Sequence, residues 1–275
     1  MVTFSNCKIN LGLQILQKRI DGFHDLDTVF IPVPLFDCVE IITSKAALTE
    51  KVQITQLGNA LPIAPEQNIC VKAYRILDRI FNLPPIHIYL YKKIPAGAGL
   101  GGGSANGAAV LMLLNKIFEL RLTKQQLANY ALALGSDCPF FIYNEPMHAL
   151  GRGEKMMPIK INLSGYYLSL VNPNIQISTA AAFSEILPQK CIHTTAEIIA
   201  TTEIGQWAQV LKNDFEKSVF KKFEQLKTIK HMLYSNGAVY ASMSGSGSTL
   251  YGIFNKKDDA EKLISTSYRQ WVVPL

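Results

Sequence analysis

The feature that most limits the fold of this chain is a glycine-rich run in front of an apolar helix. Six glycines fall within the twelve residues 96–107, and the segment that follows, 108–118, is apolar and helical in composition. Glycines leave successive backbone N–H groups unobstructed, and a helix N-terminus adds unpaired donors and the positive end of its dipole. The run therefore predicts an anion site, most simply a phosphate site, with a flexible connector as the alternative.

Two common nucleotide-binding patterns fit this run poorly. Gly97, Gly99 and Gly102 have the spacing of a dinucleotide-binding loop, but residues 92–95 separate the loop from the strand before it. A dinucleotide fold also needs an acidic residue at the end of a second strand ~20 residues further on. Glu119 falls instead at a helix end. The P-loop pattern fails as well, because no Gly-Lys-Ser/Thr follows the glycines.

Strands and helices alternate irregularly along the chain, which favours an α+β fold. Apolar and β-branched runs predict extended segments at 9–16, 28–33 and 39–43, with a turn at Asp21-Gly22 between the first two. Further strands are predicted at 86–91, 166–171, 238–243, 249–254 and 271–273, and helices at 66–82, 108–118, 123–135, 180–186, 212–231 and 258–268. The chain turns polar near 158–165, so we expect domains at 1–158 and 159–275.

The charges and the cysteines limit which partners and which cellular compartment we expect. The formal net charge is +6, but the basic residues are scattered among acidic ones, so nucleic acid is not an expected partner. A modest positive field suits an anionic, phosphorylated substrate. Five cysteines without a C-x-x-C pair predict reduced thiols and a cytoplasmic protein. The longest apolar run, 108–114, is too short for a membrane span, and no leader pattern opens the chain, so we expect no membrane partner.

Two charged residues are candidates for chemistry on their residue types alone. Asp137 lies in a polar turn at a helix start, where it can accept a proton or cap the helix. Lys8 lies within an apolar strand, where it can point to water or neutralise phosphate charge. Asn10 shares the strand face of Lys8. The histidines have no spacing typical of metal ligands, so none is assigned to a metal.

Four motifs resemble those of the GHMP small-molecule kinases. Residues 95–105 match the family loop P-x-G-x-G-L-G-S/G-S-S/A at nearly every position. The other three motifs are the N-terminal segment N-C-K-I-N-L with R-I-D-G-F-H (6–11 and 19–24), L-G-S-D-C-P (134–139) and S-G-S-G (244–247). The N-terminal motif is similar to that of a branch whose acceptor alcohol carries a cytidyl diphosphate. The resemblance spans nearly the whole chain.

The resemblance implies a two-domain α+β GHMP kinase fold with a ferredoxin-like C-terminal domain and the active site in the cleft between the domains. It implies ATP as phosphoryl donor, Mg²⁺ and a small cytidyl diphosphate acceptor, with Lys8 and Asp137 as catalytic residues. Ser104 is the metal ligand that it implies. The ATP-binding residues that it implies are Pro95, Ala96, Gly97, Ala98, Gly99, Leu100, Gly101, Gly102, Gly103, Ser104, Ala105, Asn68 and Lys93. The substrate-binding residues that it implies are Asn10, Phe23, His24, Thr179 and Phe183.

Two positions depart from the family pattern, and three other functions stay open. Cys7 replaces the usual Ala, and Phe23 replaces the usual Tyr, which keeps the ring face but removes a hydroxyl. The first alternative is another GHMP kinase, acting on mevalonate, homoserine or a sugar. The others are a catalytically silent ligand-binding relative and a dinucleotide-dependent oxidoreductase. The sequence leaves the oligomeric state open between a monomer and a weak dimer.

Overall fold

The computed structural model describes residues 1–43, 50–60, 62–183, 186, 188–189 and 191–275. The chain forms two compact units, each built from separate stretches of sequence. The first unit comprises Met1–Cys7, Leu35–Ala96 and Gly101–Glu145, and the second comprises Lys8–Pro34, Gly97–Leu100 and Pro146–Leu275. The domain boundary expected between residues 158 and 159 stays a prediction.

The elements are mixed strand and helix, as the α+β prediction requires. The strands are β1 (Val2–Lys18), β2 (His24–Thr43), β3 (Val52–Gly58), β4 (Ile86–Lys92), β5 (Met147–Gly151), β6 (Lys155–Pro158), β7 (Tyr167–Asn172), β8 (Tyr240–Met243), β9 (Leu250–Phe254) and β10 (Arg269–Pro274). The α-helices are α1 (Ile69–Phe81), α2 (Gly102–Ile117), α3 (Lys124–Leu132), α4 (Cys138–Tyr143), α5 (Thr179–Phe183), α6 (Thr195–Thr201), α7 (Trp207–Val210), α8 (Phe215–Lys222), α9 (Glu224–Ser235) and α10 (Lys257–Ala260). Short 3₁₀ turns precede α1 and α7.

In the first unit, strand segments that include residues 2–7 of β1 lie beside a layer of helices. β3 is parallel to β4, and residues 38–43 of β2 pair with β4 in the antiparallel sense. The helices α1, α2 and α4 pack together, and Gly107 permits a close approach of α1 to α2. A Cβ at Gly107 would lie 2.9 Å from Ile69 Cγ1. The strand and the helix on either side of the glycine run are therefore fixed by ordinary core packing.

The second unit contains two sets of antiparallel strands. Residues 26–30 of β2 pair with β5, which pairs with β6, while β1 also pairs with β2. A separate four-stranded sheet has the order β10-β7-β9-β8. The helix α9 packs on β8 and β9 through Leu226, Ile229 and Leu233, all of them buried. This core carries β8 and β9, which flank the second glycine-rich loop, 244–248.

Most predicted elements are confirmed, several with the expected local chemistry. Thr123 and Gln126 form the predicted capping box at the start of α3, and Asn68 caps α1. The extended segments expected at 28–33 and 39–43 are one continuous strand, β2. The predictions omitted β5, β6, α6 and α7. Within the described ranges, no helix combines the length and the apolar character that crossing a bilayer needs.

Two helix predictions were wrong in extent. The helix expected at 212–231 is broken at Phe223, whose φ of −131° and ψ of 76° leave the helical region while its partly buried ring packs on the core. The helix expected at 258–268 stops at Ala260. Beyond that point the Gln270 side chain donates to the carbonyls of Ala260 and Lys262 and accepts from the Ile264 N–H. A side chain thus takes backbone groups that a longer helix would have paired internally.

A buried ion pair holds the chain just before the glycine run. The Asp37 carboxylate accepts from Lys92 Nζ and from the backbone N–H groups of Lys93 and Ile94, the latter two at 2.7 and 2.8 Å. The Asn106 side chain in α2 accepts from Lys92 at 2.9 Å and donates to Asp37 at 3.0 Å. The side chains of Asp37 and Lys92 are 0% and 1% exposed. Because both charges are out of water, each depends on the other for stabilisation.

We expect Asp37→Asn to lower the free energy of unfolding by about 3–5 kcal/mol, the usual cost of leaving one member of a buried ion pair unpaired. The matched control is Lys51→Gln, which breaks the half-exposed pair between Lys51 and Asp78. An exposed pair contributes ~0–1 kcal/mol, so this control should unfold much like the parent protein. Urea titration followed by fluorescence measures both variants. Equal stability of the two variants would show that the Asp37 network does not anchor the fold.

Candidate active site

Lys8 is a buried residue of β1, although an exposed strand-face lysine was a plausible alternative. Its side chain is buried, with the whole residue 4% exposed, and Nζ donates to Asn10 Oδ1 at 2.6 Å. The ammonium also lies 4.8 Å from the centroid of the Phe30 ring. Lys8 and Asn10 are two residues apart and therefore share one face of the strand, as predicted. The strand β1 therefore places the Lys8 ammonium next to the Asn10 amide.

The first part of the glycine run, residues 97–100, packs closely beside that point. Gly97 and Gly99 have φ angles of 64° and 77°, in the left-handed region that favours glycine. The Leu100 carbonyl accepts from the Lys8 N–H at 2.9 Å. Ala98 and Leu100 are buried. This segment is thus partly buried and hydrogen-bonded to β1, so it is not a flexible connector.

The second glycine-rich loop, residues 244–248, lies directly against the first. Ser244 Oγ donates to the Gly99 carbonyl at 2.8 Å, and the Thr249 N–H donates to the Ala98 carbonyl at 3.2 Å. A Cβ at Gly99 would lie 2.0 Å from the Ser244 carbonyl oxygen, closer than any such contact allows. The approach of the two loops therefore requires glycine at position 99.

Asn213, which the sequence patterns did not single out, holds the second loop through hydrogen bonds to its backbone and to the residue before it. Its Nδ2 donates to the carbonyls of Met243 and Gly245 at 2.7 and 2.8 Å, and its Oδ1 accepts from the Phe215 N–H. Tyr251, after the loop, donates its hydroxyl to the Asn10 carbonyl at 2.6 Å. Glycine loops hold their shape only when their backbone groups are paired. Here the buried side chain of Asn213 supplies part of that pairing, and Tyr251 joins the strand after the loop to β1.

The second part of the glycine run begins α2, in the first unit. Gly101, at the N-cap, has a φ of 68° and no side chain to cap the helix. The first N–H groups of a helix have no intrahelical acceptor, so those at the start of α2 are available to an anion. A Cβ would lie 2.7 Å from Ile94 Cγ2 at Gly102 but would meet nothing within 4 Å at Gly103. The loop therefore packs on one side and is open on the other.

Asp137 immediately precedes α4, but its side chain makes no capping hydrogen bond to that helix. The capping role considered from the sequence is therefore wrong. Next to it, the buried Cys138 thiol contacts the Ser104 side chain, and burial raises the pKa of that thiol to about 12. Ser104 is the third residue of α2 rather than its cap. The first unit thus brings Ser104 close to the residue that follows Asp137.

The two residues expected on the adenine side differ in their surroundings. Asn68 is buried, and its Oδ1 accepts from the Cys70 N–H at the start of α1. Its Nδ2 is buried without a hydrogen-bond partner among the described residues. Lys93 is exposed, whereas its neighbour Lys92 is buried. The unpaired amide of Asn68 is available to a ligand acceptor, since buried polar groups are normally paired.

The R-I-D-G-F-H segment forms the turn between β1 and β2. The Arg19 guanidinium donates to both Asp21 and Asp25, and this contact holds the pKa of the Asp21 carboxyl below its usual range. The Arg19 N–H donates to the Phe23 carbonyl at 2.8 Å. Gly22 has a φ of 84°. The motif residues thus build a rigid hairpin end that presents the ring of Phe23 and the ring of His24.

The rings expected in the base pocket are only partly together. His24 stacks on Phe183 with centroids 4.4 Å apart and planes 13° apart, so a base cannot lie between them in this arrangement. Phe23 is 53% exposed, with the Arg152 guanidinium 4.8 Å from its ring centroid. Burial, followed by the charge of Lys18, lowers the pKa of the His24 ring. The side chain of Thr179 lies outside the part of the chain that the structure describes.

Comparisons with known proteins place the chain in a family. The model of the N-terminal domain of the GHMP kinases matches residues 68–145, and the model of their C-terminal domain matches residues 196–270. Together these matches cover more than half of the chain. The chain belongs to the GHMP kinase family.

Individual relatives match over nearly their whole length. A 4-diphosphocytidyl-2-C-methyl-D-erythritol kinase of Bacteroides fragilis is 48% identical over 96% of this chain and 95% of its own. The enzyme of that name from Cytophaga hutchinsonii is 40% identical over 100% of both chains. A crystal structure of 4-(cytidine 5'-diphospho)-2C-methyl-D-erythritol kinase superposes with a TM-score of 0.80 at 27% identity, covering 99% of this chain and 98% of that one.

We expect Gly99→Ala to destabilise the protein by about 2–4 kcal/mol, because alanine is strained at this φ and its Cβ overlaps the Ser244 carbonyl. Gly103→Ala is the matched control in the same run, since its Cβ meets nothing and the site is helical. That control should change stability by less than about 1 kcal/mol. Thermal unfolding without ligand separates stability from binding. Similar midpoints for both variants would contradict the close packing of the two loops.

Proposed function

We propose that this chain is an ATP-dependent kinase that phosphorylates the C2 hydroxyl of 4-diphosphocytidyl-2-C-methyl-D-erythritol, yielding the 2-phosphate and ADP. The observation that carries the proposal is the identity of 40–48% over nearly full length with relatives of that name. The reaction belongs to isoprenoid precursor biosynthesis by the non-mevalonate route. We place it in the cytoplasm, as the cysteine pattern suggests.

The glycine run is the proposed phosphate cradle for ATP. Its N–H groups at the start of α2 are available donors, and the open side at Gly103 leaves room for phosphate oxygens. The residues assigned to ATP are those of the loop from Pro95 to Ala105 together with Asn68 and Lys93. For Asn68 the support is its buried, unpaired Nδ2, which suits an acceptor nitrogen of the adenine ring. For Lys93 the support is weaker, since its side chain is exposed.

The chemistry assigned to the two catalytic residues follows from charge. Transfer of the γ-phosphoryl group forms an O–P bond at the alcohol, breaks the bond to ADP and releases the hydroxyl proton. Asp137 is the proposed acceptor of that proton, and its carboxylate makes no capping hydrogen bond to α4. The Lys8 ammonium, buried and hydrogen-bonded to Asn10, is the proposed group that offsets negative charge during transfer.

Mg²⁺ is the proposed metal that accompanies ATP. This ion prefers oxygen ligands and usually keeps several waters while bridging phosphates. Ser104, near the start of α2, offers a hydroxyl oxygen, which fits that preference. Among the described residues there is no group of three or more His, Cys, Asp or Glu side chains suited to a metal. We therefore assign most of the coordination to phosphate oxygens and water.

The acceptor is assigned to the hairpin end and its neighbours. His24 is partly exposed at its stacked position on Phe183, which suits pairing with the edge of a cytosine. Phe23 offers a ring face, and Arg152 beside it places a positive charge within reach of a diphosphate. Asn10 is assigned to a hydroxyl or diphosphate contact and Thr179 to the diphosphate. Kinases for mevalonate, homoserine or sugars have no use for such a base site.

The test of the proposal is ADP release in the presence of ATP and Mg²⁺, with the cytidyl acceptor, mevalonate, homoserine and galactose compared at equal concentrations. We expect turnover with the cytidyl acceptor and little above background with the other three. Preference for another alcohol would assign the chain to a different GHMP kinase. Tight ATP binding without turnover of any acceptor would indicate a silent relative.

We expect Asp137→Asn to lower kcat by about 10²–10⁴ while both substrates still bind, since the amide keeps the shape of the side chain but cannot accept the proton. Asp259→Asn is the control, because Asp259 is a partly exposed residue paired with Lys262. Steady-state kinetics of ADP release provides kcat and KM for each variant. A near-normal kcat for Asp137→Asn would remove the residue from the catalytic role.

The lowered pKa of His24 predicts how acceptor binding depends on pH. The ring stays neutral until the pH falls below its ordinary value of about 6.5, so the KM of the acceptor should stay constant from pH 8 to 6.5 and rise only below that. His24→Gln should show a raised KM that does not vary over this range. Dividing the two profiles removes the titration of ATP. A wild-type KM that already rises between pH 7.5 and 6.5 would contradict a His24 ring that stays neutral over this range.

A further inference from the structure

A chain of buried hydrogen bonds leads away from the ammonium of Lys8. Lys8 Nζ donates to Asn10 Oδ1 at 2.6 Å, and Asn10 Nδ2 donates to Thr28 Oγ1 at 3.0 Å. Thr28 Oγ1 in turn donates to the Gly12 carbonyl at 2.5 Å. The chain joins two segments of β1 to one residue of β2. It ends on a backbone group, which cannot rotate away as a side chain can.

The direction of every bond in this chain is fixed by elementary chemistry. An ammonium has only donors, so the amide atom that faces Lys8 must be the oxygen of Asn10. The amide nitrogen then faces Thr28, whose hydroxyl must accept from it. That hydroxyl has a single proton, and the Gly12 carbonyl, which can only accept, receives it. Reversing the amide would set its NH₂ group against the ammonium, donor against donor, and its oxygen against the Thr28 oxygen, acceptor against acceptor.

Thr28 cannot reach a substrate. Its exposure is 0%, and it lies beneath Asn10, which is itself buried. Gly12 is equally constrained, because its φ is 64° and a Cβ there would lie 2.6 Å from Leu211 Cδ1. A glycine is therefore needed to aim this carbonyl at Thr28. Both residues can affect chemistry only through Asn10 and Lys8.

We propose that Thr28 is a positioning residue for phosphoryl transfer, whose hydroxyl locks the Asn10 amide in the orientation that holds the Lys8 ammonium in place. The proposal rests on the proposed function, in which Lys8 acts on the transferring phosphate. The Gly12 carbonyl is the last acceptor in this chain of hydrogen bonds. Without the hydroxyl, Asn10 Nδ2 loses its acceptor, so the amide can rotate to find another one and its oxygen no longer holds the Lys8 ammonium at a fixed position. Small displacements of a charged group at a reacting centre are costly in rate.

The experiment uses two matched pairs of residues at position 28 in the full-length protein. Thr28→Val keeps the shape of threonine and removes the hydroxyl, whereas Thr28→Ser keeps the hydroxyl and removes a methyl group. Thr28→Ala then differs from Thr28→Ser by the hydroxyl alone, so the comparison survives if the valine variant fails to fold. Thr55→Val is the control for loss of a threonine hydroxyl elsewhere, since Thr55 contacts His87. kcat, both KM values and the thermal midpoint are measured for each.

We expect kcat to fall by about 10- to 100-fold in Thr28→Val and Thr28→Ala, with the KM of ATP within about threefold of wild type. Thr28→Ser should retain most of the wild-type kcat even where its thermal midpoint is the lower one. A kcat that follows the thermal midpoint rather than the hydroxyl would overturn the positioning role, as would an unchanged kcat in Thr28→Val. Failure of the proposed function is recognised separately, because the wild-type protein would then lack turnover of the cytidyl acceptor.

Discussion

The contact on which the rest of the site depends is the approach of two glycine-rich loops at Gly99 and Ser244. No side chain fits between them, since a Cβ at Gly99 would lie 2.0 Å from the Ser244 carbonyl oxygen. The same short segment binds the backbone of Lys8 through the Leu100 carbonyl. Any residue larger than glycine at position 99 would therefore push residues 97–100 away from the strand that carries the lysine. The steric requirement for glycine at position 99 therefore helps to set the position of the Lys8 ammonium.

In each of its two units, the structure uses buried polar side chains to fix backbone that has no regular partner. Asp37 binds the N–H groups of Lys93 and Ile94 before the first loop, and Asn213 binds two carbonyls of the second. Such groups are costly to bury, but once paired they define one geometry, because each has a fixed number of donors and acceptors. Glycine permits the backbone angles that the loops need, and the hydrogen bonds from these side chains restrict the loops to one conformation. The result is that both glycine-rich loops have a defined backbone conformation.

Sequence reasoning found what is local and periodic. It predicted a helix at 66–82, which the structure shows at Ile69–Phe81, as well as the capping box at Thr123 and the shared strand face of Lys8 and Asn10. It missed Lys92, although the buried alternation of Ile86, Ile88 and Leu90 points position 92 inward, because a lysine at a strand end is ordinarily exposed. Asn213, Thr28 and Asp37 gave no signal, since each binds a distant backbone group: Met243 lies 30 residues from Asn213, Gly12 lies 16 from Thr28 and Ile94 lies 57 from Asp37. Such pairings depend on tertiary structure, and no local pattern encodes them. The roles assigned to the site residues stay predictions.

Phosphorus NMR of the reaction mixture tests the central claim most directly. With ATP, Mg²⁺ and the cytidyl acceptor, the account predicts that a new phosphomonoester signal grows as the γ-phosphate signal of ATP declines, while the diphosphate of the acceptor remains intact. The C2 carbon of the acceptor carries a methyl group and no hydrogen, so the new signal should show no coupling to a proton on the phosphorylated carbon. A monoester signal that is split by such a proton, or the appearance of inorganic phosphate alone, would contradict transfer to the C2 hydroxyl.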